Sequence, residues 1–201
     1  MKLEIRSCFD KEIRAEAVEG EDQKKTIKGY AAVFEKYSQN FGGWVEKIAK
    51  GAFTESVQSK DVRALYSHKT DRVLGRTGNR SLRLWEDDYG LAFELDLIDT
   101  TDGRDTYENV RHGVITGVSF GFNVKREDQK WERGEGEQPH VRTLLKVELV
   151  EISPVAFPAY EQTSTSTRDA KALLEELELE WVKDGEIYKR QEGVEAWRPR
   201  V

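Results

Sequence analysis

The stretch GVITGVSFGF, Gly113 to Phe122, decides how this chain is read. Within it, Gly117-Val118-Ser119-Phe120-Gly121 fits G-x-S-x-G, the pattern that sets a nucleophilic serine on a strand-to-helix turn in α/β-hydrolases. Here the residues beyond Ser119 continue a strand. Val118, Phe120, Phe122 and Val124 alternate onto one face, and Ser119, Gly121 and Asn123 onto the other, which predicts a strand over 117–125. An α/β-hydrolase also needs βα alternation, which this chain lacks, and a histidine after the serine, where only His140 stands. The elbow match is therefore coincidental. Two readings of Ser119 stay open: a nucleophile in another architecture, or a small residue on the exposed face of an edge strand. Gly117 and Gly121 leave that face open to a substrate backbone.

Working outward, TTDGRDTYENVRHG reads as a helix capped by Thr101 or Asp102, with Gly113 at its left-handed C′ position. Upstream, RSLRLWEDDYGLAFELDLID holds two strands about a turn at Asp87 to Gly90, and TIKGYAAVF (Thr26–Phe34) is a further β-rich run. GAFTESVQ, from Gly51, reads as a short helix. Downstream, REDQKWERGEGEQPH is a polar hairpin excursion, and VRTLLKVELVEISPVAFPA is one long strand ending at Pro154 or Pro158. YEQTSTSTRD is a linker by composition. DAKALLEELELEWVKDG then predicts an amphipathic helix with Ala170, Leu173, Leu174, Leu177 and Trp181 on one face. The expected layout is a mainly β, largely antiparallel domain with a few helices over residues 1–160, and a linker with a helical tail over 161–201.

A chain of 201 residues with 37% hydrophobic and 35% charged residues supports a modest core with charged loops. The net charge of −6 gives no bulk reason to expect nucleic-acid binding. A single cysteine, Cys8, excludes an internal disulfide and a cysteine-based zinc site. The start, MKLEIRSCFDKEIRA, has no apolar leader core and no run is long enough to span a bilayer, so a soluble protein of a reducing compartment is expected. No metal-ligand spacing and no cofactor motif are present.

A serine nucleophile needs a base, and the chain has three histidines: His68, His112 and His140. His68 follows the apolar Ala64-Leu65-Tyr66 at a strand end, where it could reach a cleft or stand on a surface loop. His112 lies in the last turn of the predicted helix, where the dipole favours a cation. His140 follows Pro139 and reads as a solvated loop residue. For a group to orient the base, the long strand offers Glu148 and Glu151. Leu145, Val147 and Leu149 define one face with Glu148 opposite, and Glu151 continues the apolar register. A carboxylate there needs a hydrogen-bonding partner such as an imidazole N–H, unless a bulge near Val150 returns it to solvent.

The segments GYAAVFEKYS, EKIAKGAF, ALYSHKTDRVLGR, ENVRHGVITGVSFGF and LVEISPVAFPAY occur in an order that resembles the prohead maturation proteases of tailed phages, relatives of the herpesvirus assemblin serine proteases. The resemblance covers roughly residues 26 to 160. It implies a small, largely antiparallel β-barrel flanked by helices. By it, His68 is the general base, Ser119 the nucleophile and Glu151 the third member. Assemblin relatives use a second histidine there, for which His140 fits the order. Arg76 in VLGRT is a candidate helper at the oxyanion. The implied substrate is the major capsid protein or its scaffolding segment, cleaved inside the immature capsid in the host cytoplasm, with self-cleavage and self-association as further family traits. A non-catalytic capsid or scaffold protein of the same fold, and a serine esterase, are the alternatives.

Overall fold

The structure is a computed structural model that describes residues 3–8, 14–17, 24–136, 138–156, 181–183, 186–189 and 198–200. In chain order its elements are β1 (Glu4–Cys8), β2 (Arg14–Ala17), β3 (Lys25–Val33), β4 (Trp44–Ile48), α1 (Thr54–Ser59), β5 (Arg63–Tyr66) and β6 (Lys69–Arg76). There follow β7 (Leu82–Glu86), β8 (Gly90–Leu97), α2 (Thr101–Arg111), β9 (Gly117–Asn123), β10 (Gln129–Glu132), β11 (His140–Leu144) and β12 (Glu148–Val155). Three short strands come last: β13 (Trp181–Lys183), β14 (Glu186–Lys189) and β15 (Arg198–Arg200).

The strand containing Ser119 is β9, and it is not an edge. It lies inside a five-stranded sheet of order β1-β9-β12-β5-β6. Its apolar face holds it in place: Val118, Phe120 and Phe122 are at most 2% exposed, and Phe53 meets Phe120 edge-on at 5.6 Å between ring centroids. Each such buried side chain contributes about 1.5–3 kcal/mol, so the register of β9 is strongly specified. A four-stranded sheet, β2-β3-β8-β7, completes the core with Ile27, Leu91, Phe93 and Leu95. β3 packs against β1 and β9 and so joins the two larger sheets. The fold is mostly β with few helices, and as hydrogen-bonded the sheets are open; no closed barrel forms among the described residues.

Two of the expected downstream elements take a different form in the structure. The long strand after the polar excursion is two strands in two sheets. β11 pairs in parallel with β4, whereas β12 pairs with β9 and β5. The break lies at Leu145 and Lys146, whose N–H groups both donate to the carbonyl of Asp128 instead of to a neighbouring strand. The helix expected over 169–185 is replaced at Trp181–Lys183 by strand β13, and the rest of its span lies outside the described residues. Helix α2 forms as the pattern predicts. Its cap is one residue earlier, with the Thr100 side chain accepting from Gly103 N, and Gly113 adopts φ +69° beyond its end.

A buried ionic cluster ties β1 into the molecule. Arg6 donates to Glu46 through Nε at 2.6 Å and to Glu4 at 2.8 Å, while Arg142 donates to Glu46 at 2.9 Å and to both Glu4 oxygens at 2.7 and 2.9 Å. Arg6, Glu46 and Arg142 are each 7% exposed or less. Two cations and two anions balance, so removal of one member strands a buried charge, which costs about 3–5 kcal/mol. We expect Glu46→Ala to lower stability by about that amount in urea unfolding, and a paired change of Arg6 and Glu46 to apolar residues to cost less. A loss under about 1 kcal/mol for the single change would show the cluster to be solvated.

Acid sensitivity follows from the same cluster and from Asp96. Burial acts to raise the Glu4 carboxyl, but the hydrogen bonds and charges of Arg142 and Arg6 outweigh it and hold the group below its ordinary 4.5. The Arg83 hydrogen bond, with Lys24 and Thr26, holds Asp96 well below its ordinary 3.8. Both folded values lie beneath the unfolded ones, so this stabilisation is complete above about pH 4.5 and is lost as pH falls through the folded values. The urea midpoint of the wild type should therefore fall progressively as pH drops below about 4.5, and Asp96→Asn should flatten that drop.

Candidate active site

His68 stands at the tip of the β5–β6 hairpin, whose last pair is Tyr66 with Lys69. That leaves Ser67 and His68 as a two-residue turn, with φ of +49° and +61°. Positive φ at both positions matches the twist of the strands, and for side-chain-bearing residues it costs about 1–3 kcal/mol each. Backbone hydrogen bonds to β12 offset the strain: Ser67 N donates to Pro154 O at 3.2 Å, and His68 N to Ser153 Oγ at 3.1 Å. The turn is thereby pinned to the strand that carries Glu151.

Glu151 reaches His68 because β12 is bulged. Leu149 pairs with Phe122, but Glu151 pairs with Gly121, so Val150 is the extra residue. The bulge moves Glu151 off the apolar face that simple alternation assigns it and onto the face of Ser119. It does not return the carboxylate to solvent, for Glu151 is 4% exposed. Oε1 lies 2.7 Å from His68 Nδ1, and Oε2 accepts from Ser153 Oγ at 2.6 Å. Gly121 makes the room, since a Cβ there would stand 2.6 Å from Glu151 Oε1. The open space expected over this glycine is filled by the carboxylate.

Ser119 is fully buried. Directly paired antiparallel residues share a face, which sets Ser7, Ser119 and Ser153 in a row across β1, β9 and β12. The Ser119 hydroxyl donates to Arg6 O at 2.8 Å and lies 2.9 Å from Ser7 Oγ. Among the described residues no hydrogen bond joins it to His68. In a neutral imidazole with Glu151 accepting at Nδ1, the proton sits on Nδ1 and Nε2 keeps its lone pair. The site is thus a histidine–carboxylate pair with a serine on the same sheet face, its hydroxyl turned toward the neighbouring strand.

The other candidates lie elsewhere. His140 opens strand β11 rather than a solvated loop; it accepts from Gly134 N at 3.0 Å, and burial and Arg133 push its pKa below the usual histidine range. Glu148 faces Lys60 at 2.6 Å and Asn123 at 3.3 Å. His112 is the C-cap residue of α2, where its backbone N–H donates to Glu108 O at 2.9 Å. Arg76 is engaged by Asp61 on the surface. Sequence reasoning missed Ser153, although its spacing of two from Glu151 on one strand signals a shared face.

Residues 11–176 match the caudovirus prohead serine protease family, and the chain belongs to that family. It is 30% identical over 148 residues to the prohead protease of Enterobacteria phage HK97; the match takes in 71% of this chain and spans 60% of the length of that relative. In fold it resembles the capsid assembly protease of bacteriophage T4, with a TM-score of 0.50 at 14% identity, covering 78% of this chain and 98% of that one.

Proposed function

We propose that this chain is a serine endopeptidase that cleaves scaffold or capsid-protein segments during procapsid maturation. The observation that carries the reading is the His68–Glu151 pair, 2.7 Å apart, set on the sheet face of Ser119 in a chain of this family. In the reaction, the Ser119 hydroxyl leaves Arg6 O and turns to His68. Nε2 takes its proton as Oγ attacks the peptide carbonyl, and the same proton passes to the departing amine. Water then attacks the acyl-enzyme with His68 again as base, which releases the acid product. Glu151 fixes the tautomer and stabilises the imidazolium. For that turn the hydroxyl must break its contacts with β1, the donation to Arg6 O and the 2.9 Å approach to Ser7 Oγ.

The wider setting belongs to the same proposal: residues 1–160 as the protease domain with 161–201 as a tail, a barrel-like arrangement akin to assemblin proteases, self-association, and action inside the immature capsid in the host cytoplasm. Contact of β3 with β1 and β9 supports the barrel-like arrangement. One observation favours a second reading, a non-catalytic assembly protein of the same fold: Ser119 is buried and already hydrogen-bonded. Incubation of the protein with the capsid or scaffold protein made with it separates the two. The proposal expects products with the wild type and none with His68→Ala. Equal cleavage by both would exclude His68 as the base.

A further inference from the structure

The buried Ser153 does a task that the catalytic triad leaves unassigned. Its hydroxyl has one proton, which goes to Glu151 Oε2 at 2.6 Å, and its oxygen accepts the backbone N–H of His68 at 3.1 Å. It is fully buried and paired directly with Ser119 across β9 and β12. One atom therefore fixes the carboxylate that holds the imidazole and also the strained turn that carries it. Without it, Glu151 keeps a single anchored oxygen and can rotate about its last bond. His68 N–H would lose its acceptor at a residue with φ +61°.

We propose that Ser153 is the positioning residue of this site, setting the His68 ring for Ser119 by bonding Glu151 and the His68 backbone at once. The inference rests on the peptidase reading of His68, Ser119 and Glu151. A misplacement near 1 Å lowers activity by about 100-fold, and loss of an outer partner that orients a metal-ligating histidine lowers it by about 10- to 100-fold.

The test uses the full chain and a fluorophosphonate probe. Labelling rates at Ser119 are measured for wild type, Ser153→Ala and Ser153→Thr, with thermal unfolding to verify the fold. The ¹⁵N-coupled Nδ1–H resonance of His68 is followed in the same samples. We expect Ser153→Ala to slow labelling by about 10- to 100-fold and to shift or broaden the Nδ1–H signal while remaining folded. Ser153→Thr, which keeps the hydroxyl on a strand-compatible side chain, should recover most of the rate and the signal. Normal labelling and an unchanged signal in Ser153→Ala would overturn this inference and leave the peptidase reading standing. An adduct on Ser153 itself would also overturn it, by making that residue the nucleophile. A wild type that neither labels nor cleaves would defeat the peptidase reading, and this inference with it.

Discussion

Ser119→Ala is expected to reduce turnover by about 10⁶-fold, the loss seen when a triad nucleophile is removed from a serine protease. The change deletes one oxygen. It leaves Val118, Phe120 and Phe122 to hold β9 in register, so the variant should fold. What it removes from the folded state is the hydroxyl donated to Arg6 O, a loss of about 1 kcal/mol. A thermal unfolding curve close to that of the wild type, together with no product, assigns the effect to chemistry. Full cleavage by Ser119→Ala would mean another nucleophile.

Glu151→Gln should be nearly as damaging, at about 10⁴-fold in turnover, because the amide can present its N–H₂ to Nδ1 and invert the tautomer of His68. The proton would then sit on Nε2, where Ser119 needs a lone pair. The geometry makes this sharp. Oε1 faces Nδ1, and Oε2 is committed to the Ser153 hydroxyl, so a neutral amide satisfies at most one of the two as an acceptor. Glu148→Gln is the control, since Glu148 faces Lys60 and Asn123 instead. Turnover should be measured across pH to exclude a simple shift in optimum. Equal activity of Glu151→Gln and wild type would remove Glu151 from the mechanism.

Much of this site is legible in the amino-acid sequence. The alternation about Ser119 depends only on side-chain periodicity, and the core residues Phe120 and Phe122 bear it out. The strand end before His68 is legible too. The left-handed φ of Ser67 and His68 is not, because neither is glycine and the strain is supported by Ser153 and Pro154, which for His68 means a partner 85 positions away in the chain. Glu151 falls on the other face from the one alternation assigns, and the reason is local. Alternation assumes no bulge, and the bulge at Val150 inverts everything after it. The cost of desolvating a carboxylate nonetheless points to an imidazole neighbour, and Glu151 is buried beside one.

The other departures from the sequence pattern share a cause in long-range pairing. VRTLLKVELVEISPV reads as one strand until the carbonyl of Asp128 captures the N–H groups of Leu145 and Lys146. Ser119 reads as exposed until β1 pairs along β9 and accepts its hydroxyl at Arg6 O. β1 is anchored there by Arg6 on Glu46 and Arg142 on Glu4, partners separated by 40 and 138 positions. Charges in a one-dimensional pattern give no sign of such a cluster.

Ser119 as nucleophile is tested most directly by treating the protein with a fluorophosphonate, digesting it and locating the adduct by mass spectrometry. A single adduct on Ser119, lost in His68→Ala and strongly reduced in Glu151→Gln, is the predicted result. An adduct on another residue, or none under conditions where the capsid substrate is being cleaved, would contradict it.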